Sequence, residues 1–170
     1  THASTDDPNT AVAYTFDAAN NRLTRQGTVL TPDPNSPLLP VAPQPEDTIY
    51  SYNAANQLVA INDAVSNTDA NLTYDGNGNR VQEREVLGDG TLQITDYSYN
   101  REDRLIGVRK QISSTAGIST TMIVTYTYDA YARRATKIVA YPGNISATEI
   151  ITYLYRSNDV IGAQLAINGI

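Results

Sequence analysis

The 170-residue chain contains no cysteine, no tryptophan, one methionine, one phenylalanine and one histidine. Without cysteine there is no disulfide framework and no thiolate to serve as nucleophile or soft metal ligand. The lone histidine, His2, lies in a polar N-terminal stretch, which leaves no histidine-based catalytic pair and no zinc triad. Positive charge is also scarce. Twelve Lys plus Arg stand against 18 Asp plus Glu, and the net charge of −6 argues against a phosphate backbone as partner. The one basic cluster, Arg101, Arg104, Arg109 and Lys110, has Glu102 and Asp103 set inside it. Apolar runs such as Ile150-Ile151 and Ile123-Val124 fall far short of the ~20 residues of a membrane-spanning helix. The chain begins at Thr1 with a polar segment, without the pattern of a secretion signal. It is therefore expected to be a processed protein or a piece of a longer one. These absences predict no enzyme, no cofactor and no metal.

Tyrosine is what the chain has in excess, and it is not scattered. Ten of the 12 tyrosines fall in six copies of one short motif. Tyr14-Thr15-Phe16-Asp17 returns as Tyr50-Ser51-Tyr52-Asn53 and as Leu72-Thr73-Tyr74-Asp75. It returns again as Tyr97-Ser98-Tyr99-Asn100, as Tyr126-Thr127-Tyr128-Asp129 and, decayed, as Tyr153-Leu154-Tyr155-Arg156. The following residues recur as well: Asn21-Arg22-Leu23, Asn56-Gln57-Leu58, Gly78-Asn79-Arg80-Val81, Asp103-Arg104-Leu105 and Ala132-Arg133-Arg134. The second aromatic is spaced by 22 to 29 residues, except for a first interval of 36.

Such a unit reads as a β-hairpin. Side chains alternate along a strand, so the two aromatics of Tyr-x-Tyr share a face. Asp or Asn then opens a turn by bonding the backbone ahead of it. Asn20, Asn56 and Gly78 stand where a positive φ is most needed. The Arg-Leu-x-x-Val stretch, as in Arg104-Leu105-Ile106-Gly107-Val108, opens the return strand. Turns on the opposite side are expected at Gly88-Asp89-Gly90, in a longer loop from Ser113 to Gly117, and at Tyr141-Pro142-Gly143-Asn144. Between them, Val124, Tyr126 and Tyr128 alternate with Ile123, Thr125 and Thr127. Residues 27–47 hold six of the eight prolines and predict an extended surface insertion within the first repeat. No segment predicts a helix.

The pattern Tyr-x-Tyr-Asp-x-x-Gly-(Asn)-Arg resembles the YD repeats of RHS proteins, Tc-toxin shell proteins and teneurins. Its best copies are Tyr74-Asp75-Gly76-Asn77-Gly78-Asn79-Arg80 and Tyr128-Asp129-Ala130-Tyr131-Ala132-Arg133-Arg134. The resemblance implies an all-β fold: an antiparallel strip of consecutive hairpins, curved or spiralling, and open-edged as an isolated chain. The expected organisation is a polar tail over 1–12, a repeat domain over 13–161 and a pairing segment over 162–170. The family's DPxGxxG-type segment, linked to autoproteolysis, is absent, so no protease residues carry over. Six hairpins are too few to close a shell and leave two open edges, which are templates for further pairing. The resemblance implies a secreted, extracellular or cell-surface structural module that forms shell wall or fibre. Its partners would be further copies of itself or the rest of a larger RHS chain. The alternatives are a fragment of a toxin-encapsulating shell and a teneurin-like adhesion or glycan-binding module.

Other sites compete for the same residues. Asp75-Gly76-Asn77-Gly78-Asn79 looks like the start of a calcium loop, but it lacks the glycine at the sixth place and the distal glutamate. Asp17, Asp75 and Asp129 occupy equivalent turn positions, so they are expected along a sheet edge and not paired across a cleft. The tyrosines suit either a sugar platform, with Tyr131 outside the repeat positions, or a ladder binding hairpin to hairpin. The ladder is favoured, with Arg22, Arg80, Arg104 and Arg133 lying over the rings or paired with turn carboxylates. Sequons at Asn71-Leu72-Thr73 and Asn144-Ile145-Ser146 matter only on a glycosylating secretory route.

Overall fold

The computed structural model describes residues 2–7, 10–29, 32–33, 36–40, 44–115, 117–143 and 148–168, with side chains over 12–28, 45–115, 117–143 and 148–167. Every regular element among them is a strand, as the period-2 patterning and the β-branched and aromatic content predict. They are β1 (His2–Asp7), β2 (Thr10–Phe16), β3 (Arg22–Val29), β4 (Pro32–Asp33), β5 (Ser36–Pro40), β6 (Gln44–Tyr52), β7 (Leu58–Asp63) and β8 (Thr68–Tyr74). There follow β9 (Arg80–Val86), β10 (Leu92–Tyr99), β11 (Leu105–Ser114), β12 (Gly117–Tyr128), β13 (Arg134–Ala140), β14 (Thr148–Arg156) and β15 (Asp159–Asn168). The fold is all-β and antiparallel, built of consecutive hairpins and not closed into a barrel.

Two compact units divide the chain. The first comprises Thr1–Leu72 with Glu85–Gly90, the second Thr73–Arg84 with Thr91–Ile170. In the first unit the strands run β1-β2-β3-β6-β7-β8, and β4 with β5 makes a separate two-stranded ribbon. A strand occupies part of the expected polar tail, since His2 pairs with Tyr14 and Ser4 with Val12. The ladder also reaches into both ends of the proline-rich segment, where Thr28 pairs with Pro45 and Gly27 with Glu46. Pro45 offers no N–H to that ladder. Among the described residues of this unit, Thr48, Ala70 and Leu72 are buried.

In the second unit β9 to β15 follow one another in chain order. Val124 and Val139, paired across β12 and β13, are 5% and 4% exposed. Ile94 and Thr95 are the other buried residues among those described in this unit. On β12, Ile123, Thr125 and Thr127 are exposed while Tyr126 and Tyr128 are half-buried, so the expected alternation is present. The faces away from the tyrosines carry polar cross-strand pairs. Thr15 and Thr24 share a 2.7 Å hydroxyl contact, as do Thr127 and Thr136, and Arg109 donates to Asp96. One wet face and one apolar face is the usual economy of an antiparallel sheet.

The turn after β9 has Gly90 at φ +81 and a 2.8 Å bond from its N–H to the Leu87 carbonyl, at the expected Gly-Asp-Gly step. The predicted loop from Ser113 to Gly117 is corrected. β11 and β12 continue until Ser114 pairs with Gly117, which takes a φ of +112 that glycine adopts without strain, and Ala116 lies outside the described residues. Pro142 and Gly143 turn as expected, and Asn144 lies outside the described residues.

Candidate functional site: the repeated tyrosine hairpin and its free edge

The motif folds the same way in five copies. In each, the N–H of the Asp or Asn donates to the carbonyl four residues on, as in Asp17 to Asn21 and Asp129 to Arg133, both at 2.9 Å. The N–H three residues on donates back, as in Asn56 to Asn53 and Gly78 to Asp75. That third residue takes the left-handed conformation every time: Asn20 (φ 67), Asn56 (60), Gly78 (90), Asp103 (56) and Ala132 (65). One side-chain oxygen caps the turn by accepting two backbone N–H groups. Asp75 Oδ1 takes Asn77 at 3.0 Å and Asn79 at 2.9 Å, and Asp17, Asn53, Asn100 and Asp129 do likewise. A bulge follows on the return strand. Thr127 pairs with Thr136 but Tyr128 with Arg134, which leaves Ala135 over. The shift recurs at Phe16, Tyr52, Tyr99 and Tyr155. This is the type I turn with a left-handed residue and bulge that suits short hairpin loops.

The carboxylates of Asp17, Asp75 and Asp129 are engaged in these turns. Hydrogen bonds from the Asn21 side chain and backbone hold the Asp17 carboxyl below the usual range, and the Asn79 side chain and backbone do the same for Asp75. At Asp129 partial desolvation opposes the shift, but the Arg133 backbone and guanidinium outweigh it and the value is still lowered. Asp17, Asp75 and Asp129 each sit in their own turn, and among the described residues no three His, Cys, Asp or Glu gather to hold a metal.

Four hairpins are each fastened to the one before by the second tyrosine. The hydroxyl of Tyr52 donates to the Arg22 carbonyl at 3.1 Å, and that of Tyr99 to the Arg80 carbonyl at 3.0 Å. The Tyr128 hydroxyl donates to the Leu105 carbonyl and the Tyr155 hydroxyl to the Arg134 carbonyl, both at 2.8 Å. The acceptor is always the first residue of the preceding return strand. Guanidinium groups fill the space between rings. Arg22 lies 4.4 Å from the Tyr50 centroid and 5.8 Å from Tyr14, and Arg80 lies 4.7 Å from Tyr97. Arg104 stands over Tyr128 and Arg133 over Tyr155, at 5.1 and 4.6 Å. Arg134 lies 4.3 Å from Tyr126. Cation–π contact of this kind adds about 0.5–1 kcal/mol each at exposed sites. Arg80 also donates to the Tyr97 hydroxyl, which in turn donates to Glu83. Burial and Glu83 push the Tyr97 phenol up against the opposing pull of Arg80.

A second set of contacts joins turn to turn. Asn21 Nδ2 donates to Asn56 Oδ1 at 3.0 Å, and Asn79 Nδ2 to Asp103 Oδ1 at 2.7 Å. Arg133 donates to the carbonyl of Ser157. In all three the acceptor belongs to a residue of positive φ in the next turn. Sequence reasoning missed this relay, the bulge, the left-handed Asp103 and Ala132, and Arg134. The signal lay in the aligned column three residues after each Asp or Asn, which reads Asn, Asn, Gly, Asp, Ala.

The remaining expected sites resolve into ordinary surface. Arg104 pairs with Glu102 at 3.1 Å and Arg109 with Asp96 at 3.0 Å, so two members of the basic cluster have carboxylate partners. Asn71 is exposed within β8, opposite Ala60. Tyr131 is 78% exposed with Arg133 at 5.1 Å from its ring. Tyr14 and Phe16 lie on β2, Tyr74 ends β8 and Tyr153 lies on β14.

The sixth hairpin differs at its tip and at its outer strand. Its turn shrinks to Ser157-Asn158, with Arg156 paired to Asp159, yet the bulge persists because Tyr155 pairs with Val160 and Leu154 with Gly162. Among the described residues β15 has one strand neighbour, β14. Val160, Ile161, Leu165 and Ile167 on it are 56%, 64%, 57% and 59% exposed. Asp159 is its one charged residue. A long apolar edge without lysine or proline lacks the usual protection against pairing.

No family model matches the chain, and no curated protein matches it. Among solved structures, a porin-like protein from Bacteroides uniformis aligns over 88% of this chain and 55% of its own, at 16% identity and a TM-score of 0.53. The TcdB2-TccC3 complex aligns over 90% of this chain and 11% of that one, at 15% identity and a TM-score of 0.34 without the hypervariable C-terminal region. With Cdc42 the TM-score is 0.32. The chain thus spans about half of the first neighbour and about a tenth of the second. The porin-like match shows the antiparallel β fold alone. No helix among the described residues is long and apolar enough to cross a membrane.

Proposed function

We propose that the chain is a non-enzymatic structural module of the YD-repeat kind, working outside the cell and joined to further hairpins through its free strand edge. One observation carries this: a single turn, cap, bulge and hydroxyl bond recur from hairpin to hairpin, and the exposed apolar residues of β15 continue the same sheet. The placement of the candidate carboxylates supports the non-enzymatic reading. Asp17, Asp75 and Asp129 cap turns, and Arg22 and Arg133 lie against tyrosine rings. An assembly role, as shell wall or fibre subunit, needs an extended surface of regular hydrogen-bonding geometry, and repeats supply it.

The test is to image the purified chain by negative stain and size it over rising concentration. Edge assembly predicts particles that grow along the sheet direction, and their loss when Leu165 and Ile167 are both changed to lysine. Wild type and double variant that stay equally monomeric, with the same folded β spectrum, would refute it.

A further inference from the structure

One hairpin departs from the repeat on the face away from the tyrosines, and the departure opens a depression. In two other copies the residue between the aromatics meets a hydroxyl across the strands. Thr15 faces Thr24 and Thr127 faces Thr136, each pair at 2.7 Å. Ser98 holds that position in the Tyr97-Ser98-Tyr99 copy, but its partner is Gly107, which has no side chain to offer. Gly107 lies mid-strand on β11, with Ser98 of β10 on one side and Thr125 of β12 on the other. A Cβ there would meet nothing closer than Ser98 Cβ at 3.6 Å, with Ser98 Oγ and the Val124 carbonyl oxygen at 3.8 Å. The row alongside pairs Asp96 with Arg109 and Arg109 with Ile123. Together the two rows line an open cavity of about 370 Å³, within the ~300–1,000 Å³ of small-ligand sites.

The polar groups of this cavity are held in place and electrically balanced. Asp96 Oδ1 accepts from Gln82 Nε2 at 2.8 Å, and Oδ2 accepts from Arg109 Nη2 at 3.0 Å and Nε at 3.3 Å. The Gln82 bond, opposed by partial desolvation and helped by Arg109, holds the Asp96 carboxyl below its usual range. Carboxylate and guanidinium neutralise each other, so the pair gives a charged ligand little to gain. A neutral ligand with its own donors and acceptors suits it better. Ser98 and Thr125 are exposed, and each hydroxyl both donates and accepts. They stand two strand spacings apart, about 10 Å, on either side of the gap. The Asp96–Arg109 pair sets an acceptor beside a donor, which matches two adjacent hydroxyls on a ring. Ile123, 39% exposed, offers an apolar flank.

From this geometry we infer that the Gly107 depression is a carbohydrate-binding site that takes one neutral pyranose ring. Asp96 and Arg109 bind two neighbouring ring hydroxyls, Ser98 and Thr125 bind hydroxyls across the gap, and Ile123 lies against a C–H face of the sugar. The site is separate from the tyrosine rings, since strand alternation puts Tyr97 and Tyr128 on the opposite face, where Arg80 and Arg104 lie over them. Sugar capture on this face is independent of any pairing along the strand edges.

Saturation-transfer NMR on the intact chain tests this with the methyl pyranosides of glucose, galactose, mannose and N-acetylglucosamine, titrated to tens of millimolar. An open site of this size should bind at least one of them weakly and saturably. Cyclohexanol, a ring with one hydroxyl, is the control and should give no saturable signal. Gly107→Thr should abolish the sugar signal, because it fills the depression with the hydroxyl pair seen at Thr127 and Thr136. Circular dichroism and the urea midpoint establish whether this variant folds as wild type does. Ser98→Ala and Thr125→Val should each weaken binding by roughly 2- to 10-fold, the loss of one hydrogen bond, and they decide the matter if Gly107→Thr unfolds. Tyr131→Ala, at the exposed ring, should leave binding unchanged. No saturable signal from any pyranoside, equal binding of cyclohexanol, or binding that survives in folded Gly107→Thr would each overturn the proposal. Unchanged binding in both Ser98→Ala and Thr125→Val, or loss of binding in Tyr131→Ala, would overturn it as well.

Discussion

Replacing Ala132 by glycine should make the protein more stable, against the usual expectation for removing a side chain. Ala132 holds φ at +65 in an exposed turn, and its N–H donates to the Asp129 carbonyl at 3.0 Å. For an L-residue with no polar side chain the left-handed region costs about 1–2 kcal/mol. Glycine removes that cost but loosens the unfolded chain, which takes back about 0.5–1 kcal/mol. The net gain is about 0.5–1 kcal/mol, or about 1–4 °C in Tm for a chain of this size. Gly78 occupies the same place in another turn at φ +90, so Gly78→Ala should lose stability by a similar amount. The two turns share no partner, and the double variant should lie close to wild type. With 12 tyrosines and no tryptophan, tyrosine fluorescence in urea reads the change as a moved midpoint at unchanged slope. A destabilised Ala132→Gly beside a harmless Gly78→Ala would refute the shared turn conformation.

Other consequences follow from the same geometry. Tyr128→Phe or Tyr155→Phe should each cost about 0.5–1.5 kcal/mol in urea unfolding by stranding a carbonyl, whereas Tyr131→Phe should be silent. The Asp17, Asp75 and Asp129 carboxyls lie below their unfolded values when folded, so their contribution is present above about pH 4 and is lost as pH falls through the folded values. Asn53 and Asn100 already fill the same position, so the triple Asp→Asn variant should fold at neutral pH and show a flatter acid limb of stability by circular dichroism. Gly88→Ala should destabilise by about 1–3 kcal/mol, since its Cβ would sit 2.6 Å from the Ser66 carbonyl oxygen. Gly107→Ala meets only contacts of 3.6 Å or more and should be tolerated.

The hairpin series was legible because the aromatics, the turn opener and the return strand each have a local signature. Tyr126-Thr127-Tyr128-Asp129 predicts strand, face and turn without help from the rest of the chain. What joins hairpins was not legible. The Tyr128 hydroxyl reaches Leu105, 23 residues away, and Asn79 reaches Asp103. Such bonds depend on register between strands, which no short window contains. Ala132 escaped notice because alanine does not announce a positive φ, and Asp103 because aspartate is common in turns of every kind; the repeat imposes the conformation on both. The loop predicted over Ser113 to Gly117 failed for a local reason. Its small residues read as loop, yet Ser113, Ser114 and Gly117 pair within the ladder.

Edge pairing through β15 is tested most directly by amide exchange along Val160 to Asn168 as the chain is concentrated. Edge assembly predicts exchange that slows with concentration on β15 while the inner strands β12 and β13 stay protected throughout. Rapid, concentration-independent exchange on β15, with the inner strands protected, would contradict it.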